Sequence, residues 1–258
     1  MVDLLINDKH LKNVELVIFD RDGTLIDLYH YWAQMIDQRA GLICRHYGLA
    51  DIHKDKLMFE MGVDVANKKL RPEGPVGIKR REIVMQASIV YLSALGIKES
   101  QSVCTEIFKE VDRQSENNLN KLIKPLDGAL KLINRLHGLG CKLAIATTDK
   151  TERARLSLDF LGLTAKFDYI IGADAVEHSK PATDMVEAIL AALKVPKERA
   201  LMVGDAATDI EMGRNANLQA SIAVCTGITP RAQLEQLTDL VVDDISKIEI
   251  WERSVHGA

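Results

Sequence analysis

The stretch that decides the fold is VELVIFDRDGT, residues 14–24, a short apolar run that ends in two aspartates. The near-continuous hydrophobicity of residues 14–19 predicts a strand that is buried on both faces, as strands of parallel sheets are. Asp20 and Asp22 follow this run directly, at the carboxyl end of the predicted strand. Ligands of open parallel sheets bind at that end of the strands. The stretch therefore predicts an α/β fold and marks the place of its functional site.

From Pro125 onward the sequence alternates between β and helical patterns. The predicted strands cover residues 142–147, 168–172, 200–204 and 220–224, with an edge strand at 239–242. The predicted helices cover residues 128–139, 151–161, 182–193, 210–216 and 231–237. This alternation is typical of a doubly wound, mainly parallel sheet with helices on both faces. We therefore predict a Rossmann-like α/β core.

Between the first strand and this alternation lies a long segment with a different pattern. Apolar residues at helical spacing predict helices over residues 31–46, 78–95 and 102–118, and no strand is predicted in this segment. It holds 15 Lys or Arg and 12 Asp or Glu, a net charge of +3, so with −4 for the whole chain the rest carries −7. We expect two domains, an α/β core of residues 1–27 and 125–258 and an inserted all-helical cap of residues 28–124.

The composition excludes several classes of protein. Of the 258 residues, 47% are hydrophobic and 27% are charged, which is typical of a globular protein and not of a disordered or collagen-like chain. The longest apolar run, residues 188–193, is far shorter than the about 20 residues of a membrane span, so no membrane association is expected. The net charge of −4 argues against general nucleic-acid binding.

Cysteine usage and the N-terminal sequence indicate a cytoplasmic protein. Cys44, Cys104, Cys141 and Cys225 show no CxxC spacing, so neither a zinc cluster nor a disulfide framework is predicted. Reduced thiols of this kind are typical of the cytosol. The first ten residues carry charges and no small-residue cleavage site follows, so no secretory signal is expected.

Polar residues also stand at the ends of the other predicted strands. Thr147 and Thr148 stand at the end of one strand, Asp205 and Asp209 follow another, and Lys180 precedes a helix. The carboxyl ends of parallel strands meet at one edge of a sheet. We therefore expect these side chains to converge with the two aspartates that follow the first strand.

A crevice that holds Asp20, Asp22, Asp205 and Asp209 needs a cation, because four carboxylates in one place repel one another. Carboxylate and carbonyl oxygens are hard ligands that suit Mg²⁺, which keeps several waters and pairs with substrate phosphate. Lys180 can neutralise phosphate oxygens as a point charge. A carboxylate can also be the nucleophile in phosphoryl transfer. Together these residue types indicate Mg²⁺-dependent phosphoryl chemistry.

Four motifs in this order resemble those of the haloacid dehalogenase superfamily of phosphatases, in its branch with an inserted helical (C1) cap. FDRDGT, residues 19–24, resembles the first motif, DxDGT. Thr147 resembles the second motif and Lys180, in the sequence SKP, the third. GDAATD, residues 204–209, resembles the fourth motif, GDxxxD. The resemblance covers nearly the whole chain and is closest to phosphoglycolate-phosphatase-like members.

The resemblance implies a role for each of these residues. Asp20 is implied to be the nucleophile and a metal ligand. Asp22 is implied to be the general acid and base, with its main-chain carbonyl on the metal. Asp205 is implied to bind Mg²⁺ directly and Asp209 to be an outer ligand. The phosphoryl group is implied to be held by Thr147, by the amides of Thr148 and Asp22, and by Lys180.

The sequence therefore predicts an enzyme, a Mg²⁺-dependent phosphatase that hydrolyses a small phosphorylated metabolite through an aspartyl-phosphate. The cap is expected to open, close and select the substrate. One alternative is a phosphomutase of the beta-phosphoglucomutase type, in which a sugar hydroxyl in place of water reaches the phosphoenzyme. Another is a catalytically silent binding protein on the same fold, which would not need both Asp20 and Asp22. The physiological phosphoester stays open, and so does the choice between monomer and homodimer.

Overall fold

The computed structural model of the protein describes residues 1–116 and 118–251. Its strands, in chain order, are β1 (Val2–Ile6), β2 (Lys9–Val14), β3 (Leu16–Phe19), β4 (Val63–Asp64), β5 (Lys69–Leu70), β6 (Lys142–Thr147), β7 (Tyr169–Gly172), β8 (Ala200–Gly204), β9 (Ala220–Val224), β10 (Val241–Val242) and β11 (Ile248–Trp251). Its α-helices are α1 (Leu28–Tyr47), α2 (Ile52–Glu60), α3 (Arg81–Ala94), α4 (Gln101–Glu116), α5 (Leu119–Leu122), α6 (Ala129–Gly138), α7 (Thr151–Phe160), α8 (Asp184–Leu193), α9 (Ala207–Asn215) and α10 (Arg231–Leu234). Short 3₁₀ turns cover Thr164–Lys166, Ala173–Ala175, Lys197–Arg199 and Ile245–Lys247.

A six-stranded sheet has the strand order β10-β9-β8-β3-β6-β7, and its neighbouring strands are parallel. β3 lies inside it, where Leu16–Phe19 pairs with residues 142–145 of β6 and with residues 200–203 of β8. All the residues of β3 are buried, as its apolar run predicts. Helices flank the sheet, and the predicted doubly wound α/β fold is confirmed.

A hydrophobic core joins the sheet to two of its helices. Ile18 of β3 and Met202 of β8 pack in one cluster with Met185 and Ile189 of α8 and with Met212 of α9. Each of these side chains is fully buried. Burial of apolar surface is the main favourable term in folding, so this cluster fixes the two helices against the strands. Among the residues that the structure describes, no helix combines the length and the hydrophobicity that a membrane crossing requires.

A second sheet, which the sequence analysis does not predict, has the antiparallel order β11-β1-β2. Val2, Leu4 and Ile6 of β1 are buried and alternate with less buried residues, which is the period of a half-buried strand. This sheet also corrects the start of the first predicted strand. Val14 pairs with Val2 as the last residue of β2, and β3 begins at Leu16.

The chain divides into two compact units, Met1–Ile26 with the chain from Pro125 onward, and Asp27–Lys124. The predicted helices of the second unit occur as α1, α3 and α4, and residue 117 of the third prediction lies outside the described residues. The prediction that this segment has no strand is wrong for β4 and β5, which pair antiparallel. Strands of two residues carry no periodic pattern. α2 was also missed, because it buries only Leu57 and Met58. The assignment of the two units as core and cap stays a prediction.

The two ends of the Asp27–Lys124 unit meet. The Asp27 N–H donates to the Lys124 carbonyl at 2.8 Å, and the Lys124 ammonium lies 3.0 Å from Asp27 Oδ2. Asp27 also caps α1, because its Oδ1 accepts from the His30 N–H at 3.0 Å. One aspartate therefore starts the first helix of the unit and binds its last residue.

A buried cation ties three helices of this unit together. The Arg39 guanidinium of α1 lies 4.3 Å from the centre of the Phe108 ring of α4 and donates to Asp112 at 2.8 Å. Arg81, the first residue of α3, pairs with the same carboxylate at 2.8 Å. Since Arg39 is almost completely buried, these contacts satisfy a charge that would otherwise be costly to bury.

Shortening a side chain of the inner strand β3 should cost much more stability than shortening an exposed leucine. Leu16→Ala should lower the free energy of unfolding by about 2–5 kcal/mol, because it leaves a cavity in the core. Leu139→Ala is the matched control, since Leu139 is 48% exposed, and should change it by less than about 0.5 kcal/mol. Urea denaturation followed by circular dichroism measures both. Equal losses would contradict the inner position of β3.

Candidate active site

The carboxyl ends of three strands bring the predicted residues to one edge of the sheet. Asp20 follows β3 directly, and its N–H continues the pairing by donating to the Val203 carbonyl of β8 at 2.9 Å. Thr147 is the last residue of β6, and Asp205 follows β8. Because β3 pairs with both of these neighbours in parallel register, the three side chains start from the same edge.

Three of the four predicted metal-binding aspartates, Asp20, Asp205 and Asp209, form a buried acidic cluster. One carboxylate oxygen from each lies within 4.8 Å of the others. Oxygen donors that converge in this way suit a hard cation, so the donor set fits Mg²⁺. The side chain of Asp22 is outside this cluster and pairs with Arg21. Its implied metal contact, through the main-chain carbonyl, stays a prediction.

Lys180 bridges two members of the cluster. Its ammonium lies 2.6 Å from Asp20 Oδ1 and 2.6 Å from Asp209 Oδ1, and its side chain is 1% exposed. Burial alone would lower the pKa of Lys180, but the charges of the two carboxylates outweigh burial and raise it. Lys180 is therefore a fixed positive charge beside the carboxylate of Asp20.

The raised pKa values of two carboxyl groups, Asp20 and Asp205, favour a cation in the cluster. Burial raises the pKa of Asp20 to about 6, while Lys180 opposes this shift and Asp209 adds to it. Burial also raises the pKa of Asp205 well above its usual value, and the charges of Asp20 and Asp209 act in the same direction. A positive ion between these oxygens would favour their ionised forms.

The first turn of α9 fixes Asp209. The helix begins at Ala207, three residues earlier than the predicted start at Ile210. Asp209 Oδ2 accepts from the Ala206 N–H at 3.0 Å, while its Oδ1 receives Lys180. A carboxylate in the first turn also interacts favourably with the helix dipole. Asp209 therefore caps the start of α9 with one carboxylate oxygen and binds the Lys180 ammonium with the other.

Arg21, which the sequence analysis passed over, is fully buried beside the cluster. Its Nε and one terminal nitrogen donate to the two oxygens of Asp22 at 2.9 and 2.7 Å. Such two-pronged pairs are among the strongest charge-assisted hydrogen bonds. Burial raises the pKa of Asp22, although Arg21 opposes that shift. The sequence does contain a signal for this role of Arg21, because it stands between two aspartates directly after a buried strand. An arginine that is buried at such a place needs carboxylate partners.

Asp149 is a second residue that the sequence analysis did not place in the site. Its Oδ2 accepts from Arg21 at 2.7 Å and from Arg153 at 3.2 Å. Burial would raise the pKa of Asp149, but the charges of the two arginines outweigh it and lower the pKa. Arg21 therefore joins the loop after β3 to the loop after β6.

Thr147 and Thr148 lie next to this network. Thr147 is buried, and its Oγ1 accepts from the Asp149 N–H at 3.2 Å. Thr148 follows at the end of β6 and is partly exposed. Both residues are at the edge where Asp20 lies, and their implied contacts with a phosphoryl group stay predictions.

The chain belongs to the haloacid dehalogenase-like hydrolase family, whose model matches residues 14–217. The matched region contains every residue of the site described above. The resemblance that the motifs carry is confirmed, and so is the prediction that the protein is an enzyme.

Individual relatives agree with this membership. The pyrophosphatase PpaX of Halalkalibacterium halodurans is 39% identical over 103 residues, which are 40% of this chain and 48% of that protein, so the match spans about half of that relative. A PpaX protein of Caldanaerobacter subterraneus is 28% identical over 90% of this chain and 91% of its own. A crystal structure of a predicted phosphoglycolate phosphatase from Haemophilus somnus superimposes with a TM-score of 0.71 at 17% identity, covering 92% of this chain and 96% of that one. The last match supports the fold.

Removing Arg21 should destabilise the protein far more than removing an arginine of an exposed ion pair. Arg21→Met leaves the carboxylates of Asp22 and Asp149 buried without their shared partner, and breaking a buried pair costs about 3–5 kcal/mol. Arg113→Met is the control, because Arg113 pairs with Glu110 at the surface and its side chain is 68% exposed. The control should leave the guanidinium chloride denaturation curve unchanged. A similarly unchanged curve for Arg21→Met would contradict the buried network.

Proposed function

We propose that the chain is a Mg²⁺-dependent phosphatase that hydrolyses a small phosphorylated metabolite through a phosphoenzyme on Asp20. The observation that carries this proposal is the buried cluster of Asp20, Asp205 and Asp209, with the Lys180 ammonium 2.6 Å from two of its carboxylates. Phosphoryl transfer needs a nucleophile, fixed positive charge and cation ligands, because positioning and electrostatic stabilisation supply most of the acceleration. Membership of a hydrolase family agrees with this reading.

The residues that would hold Mg²⁺ are Asp20, Asp205 and the main-chain carbonyl of Asp22, with Asp209 as an outer ligand. When bound, the ion would offset the charge of the phosphoryl oxygens. The raised pKa values of Asp20 and Asp205 support this assignment, since both carboxylates are buried where a cation favours their charged forms.

In the first half of the proposed reaction Asp20 is the nucleophile. One of its oxygens bonds to phosphorus while the bond from phosphorus to the leaving oxygen breaks, and Asp22 gives that oxygen a proton. Lys180, Thr147 and the amide of Thr148 hold the phosphoryl oxygens. In the second half Asp22 takes a proton from water as the water oxygen bonds to phosphorus. The bond between phosphorus and Asp20 then breaks, and inorganic phosphate leaves.

The names of the relatives suggest which substrates to test. The most informative are inorganic pyrophosphate, from the relative named a pyrophosphatase, and phosphoglycolate, from the structural match. We assign the choice among substrates to the Asp27–Lys124 unit, because the residues named above act on the phosphoryl group alone. We place the reaction in the cytoplasm, since the four cysteines are free thiols.

Activity should depend on a divalent cation. Purified protein should release inorganic phosphate from at least one member of a panel that contains pyrophosphate, phosphoglycolate and sugar phosphates. A chelator should abolish this release, and added Mg²⁺ should restore it. Full activity in excess chelator would contradict the metal assignment, and transfer of phosphate to a sugar without its release would indicate a mutase.

The role of the acidic cluster can be separated from general loss of charge. Asp20→Asn should abolish turnover, because the amide cannot attack phosphorus. Asp239→Asn is the control, since Asp239 pairs with Lys9 outside the cluster and its side chain is 83% exposed. The control should keep its activity. Turnover by folded Asp20→Asn would contradict a phosphoenzyme on that residue.

The two aspartates that flank Arg21 should fail at different steps. Asp22→Asn keeps the nucleophile, so a substrate with a good leaving group, such as nitrophenyl phosphate, should still phosphorylate Asp20. Hydrolysis of that phosphoenzyme lacks its base and should slow by about 10²–10⁴-fold. One phosphate per chain should therefore accumulate, as intact-protein mass measures. Nearly unchanged turnover by the folded variant would indicate that Asp22 has only a structural role, as the partner of Arg21.

A further inference from the structure

The carboxylate of Asp205 lies between two glycines from different loops. Gly23 follows β3 with a φ of 87°, and a Cβ built on it would lie 2.6 Å from the carboxyl carbon of Asp205. A Cβ built on Gly227, in the loop after β9, would overlap Asp205 Oδ2. Any side chain at either position would displace the carboxylate, so both loops close on this one group.

Two hydrogen bonds hold the loop of residues 226–229, called the β9 loop here, in place beside Asp205. The Thr226 hydroxyl donates to the Gly23 carbonyl at 2.5 Å. The Thr229 hydroxyl accepts from the Ala207 N–H at the start of α9 at 3.0 Å. These bonds join the β9 loop to the segments that carry the other ligands of the acidic cluster.

The two oxygens of the Asp205 carboxylate accept hydrogen bonds from different segments. The buried Ile228 N–H donates to Oδ2 at 3.2 Å, on the side that Gly227 covers. Within residues 1–116 and 118–251, Oδ1 receives a long hydrogen bond from the Thr24 hydroxyl, at 3.3 Å. The β9 loop therefore engages Oδ2, whereas the contact to Oδ1 comes from the loop after β3.

We propose that the β9 loop is a positioning element of the cation site, which makes Asp205 offer a single oxygen and so favours a small cation over a large one. This inference rests on the proposed function in that it requires the cluster to bind a divalent ion. Mg²⁺ takes single carboxylate oxygens in a strict octahedron, whereas Ca²⁺ accepts looser geometry and both oxygens of a carboxylate. A carboxylate held by one oxygen therefore suits Mg²⁺ better.

Gly227→Ala tests this proposal, because its methyl group would push the Asp205 carboxylate out of place. Mn²⁺ binding to the metal-free protein, followed by electron paramagnetic resonance, reports the site without any substrate. Competition by Mg²⁺ and by Ca²⁺ gives the dissociation constant of each. We expect Gly227→Ala to weaken Mg²⁺ binding at least tenfold and Ca²⁺ binding by clearly less, so that the preference for Mg²⁺ falls.

Two further variants make the test decisive. Gly138→Ala makes the same chemical change at the end of α6, where a Cβ would meet nothing within 4 Å, and should leave both constants unchanged. Thr226→Val removes the bond to the Gly23 carbonyl without adding volume. It should shift the preference in the same direction by a few fold, and it serves if Gly227→Ala does not fold.

The outcomes separate this inference from the proposed function. Wild-type protein that binds no Mn²⁺ or Mg²⁺ would contradict the proposed cation site itself. Wild-type binding with unchanged Mg²⁺ affinity in the folded variants would overturn only the role of the β9 loop. Equal losses for Mg²⁺ and Ca²⁺ would also overturn it, because general damage to the site does not change the preference.

Discussion

One ammonium group makes the acidic edge of the sheet possible. Lys180 is buried between Asp20 and Asp209, and without it the cluster of three carboxylates would carry only negative charge away from water. Burying an unpaired carboxylate is too costly for a folded protein to sustain, and such a group becomes protonated instead. The lysine keeps part of the cluster charged, and Asp205 is the member on which the proposed function places a cation. The same contact therefore serves the fold and the proposed chemistry, because it holds the loop of Lys180 against the end of β3 and the start of α9.

The part of this arrangement that could be predicted is the part that parallel sheets impose. The run before Asp20 is apolar enough to mark a buried strand, and β6 begins and ends where its pattern indicates. Once those strands are parallel, whatever follows them lies at one edge. The convergence of Asp20, Thr147 and Asp205 then follows from topology without any knowledge of side-chain contacts.

The contacts that could not be predicted are those between residues far apart in the chain. Arg21 and Asp149 are 128 positions apart, and no local periodicity links them. The contact between Ile228 and Asp205 depends on a main-chain N–H, which every residue except proline carries, so its side chain gives no signal. Strands β4 and β5 are too short for an alternation to stand out, whereas β1 does alternate and was passed over. Side-chain pattern reports local structure, and these features are tertiary.

The hydrogen bond between Asp27 and Lys124 holds the two ends of the second unit together. The Asp27 N–H donates to the Lys124 carbonyl, so the first and last residues of this unit of nearly a hundred residues are neighbours. The entropic cost of closing a loop grows only slowly with the length of the loop. Here the folding of the unit itself offsets that cost. The contact between residues 27 and 124 therefore fixes the separation of the ends of this unit independently of what lies between them.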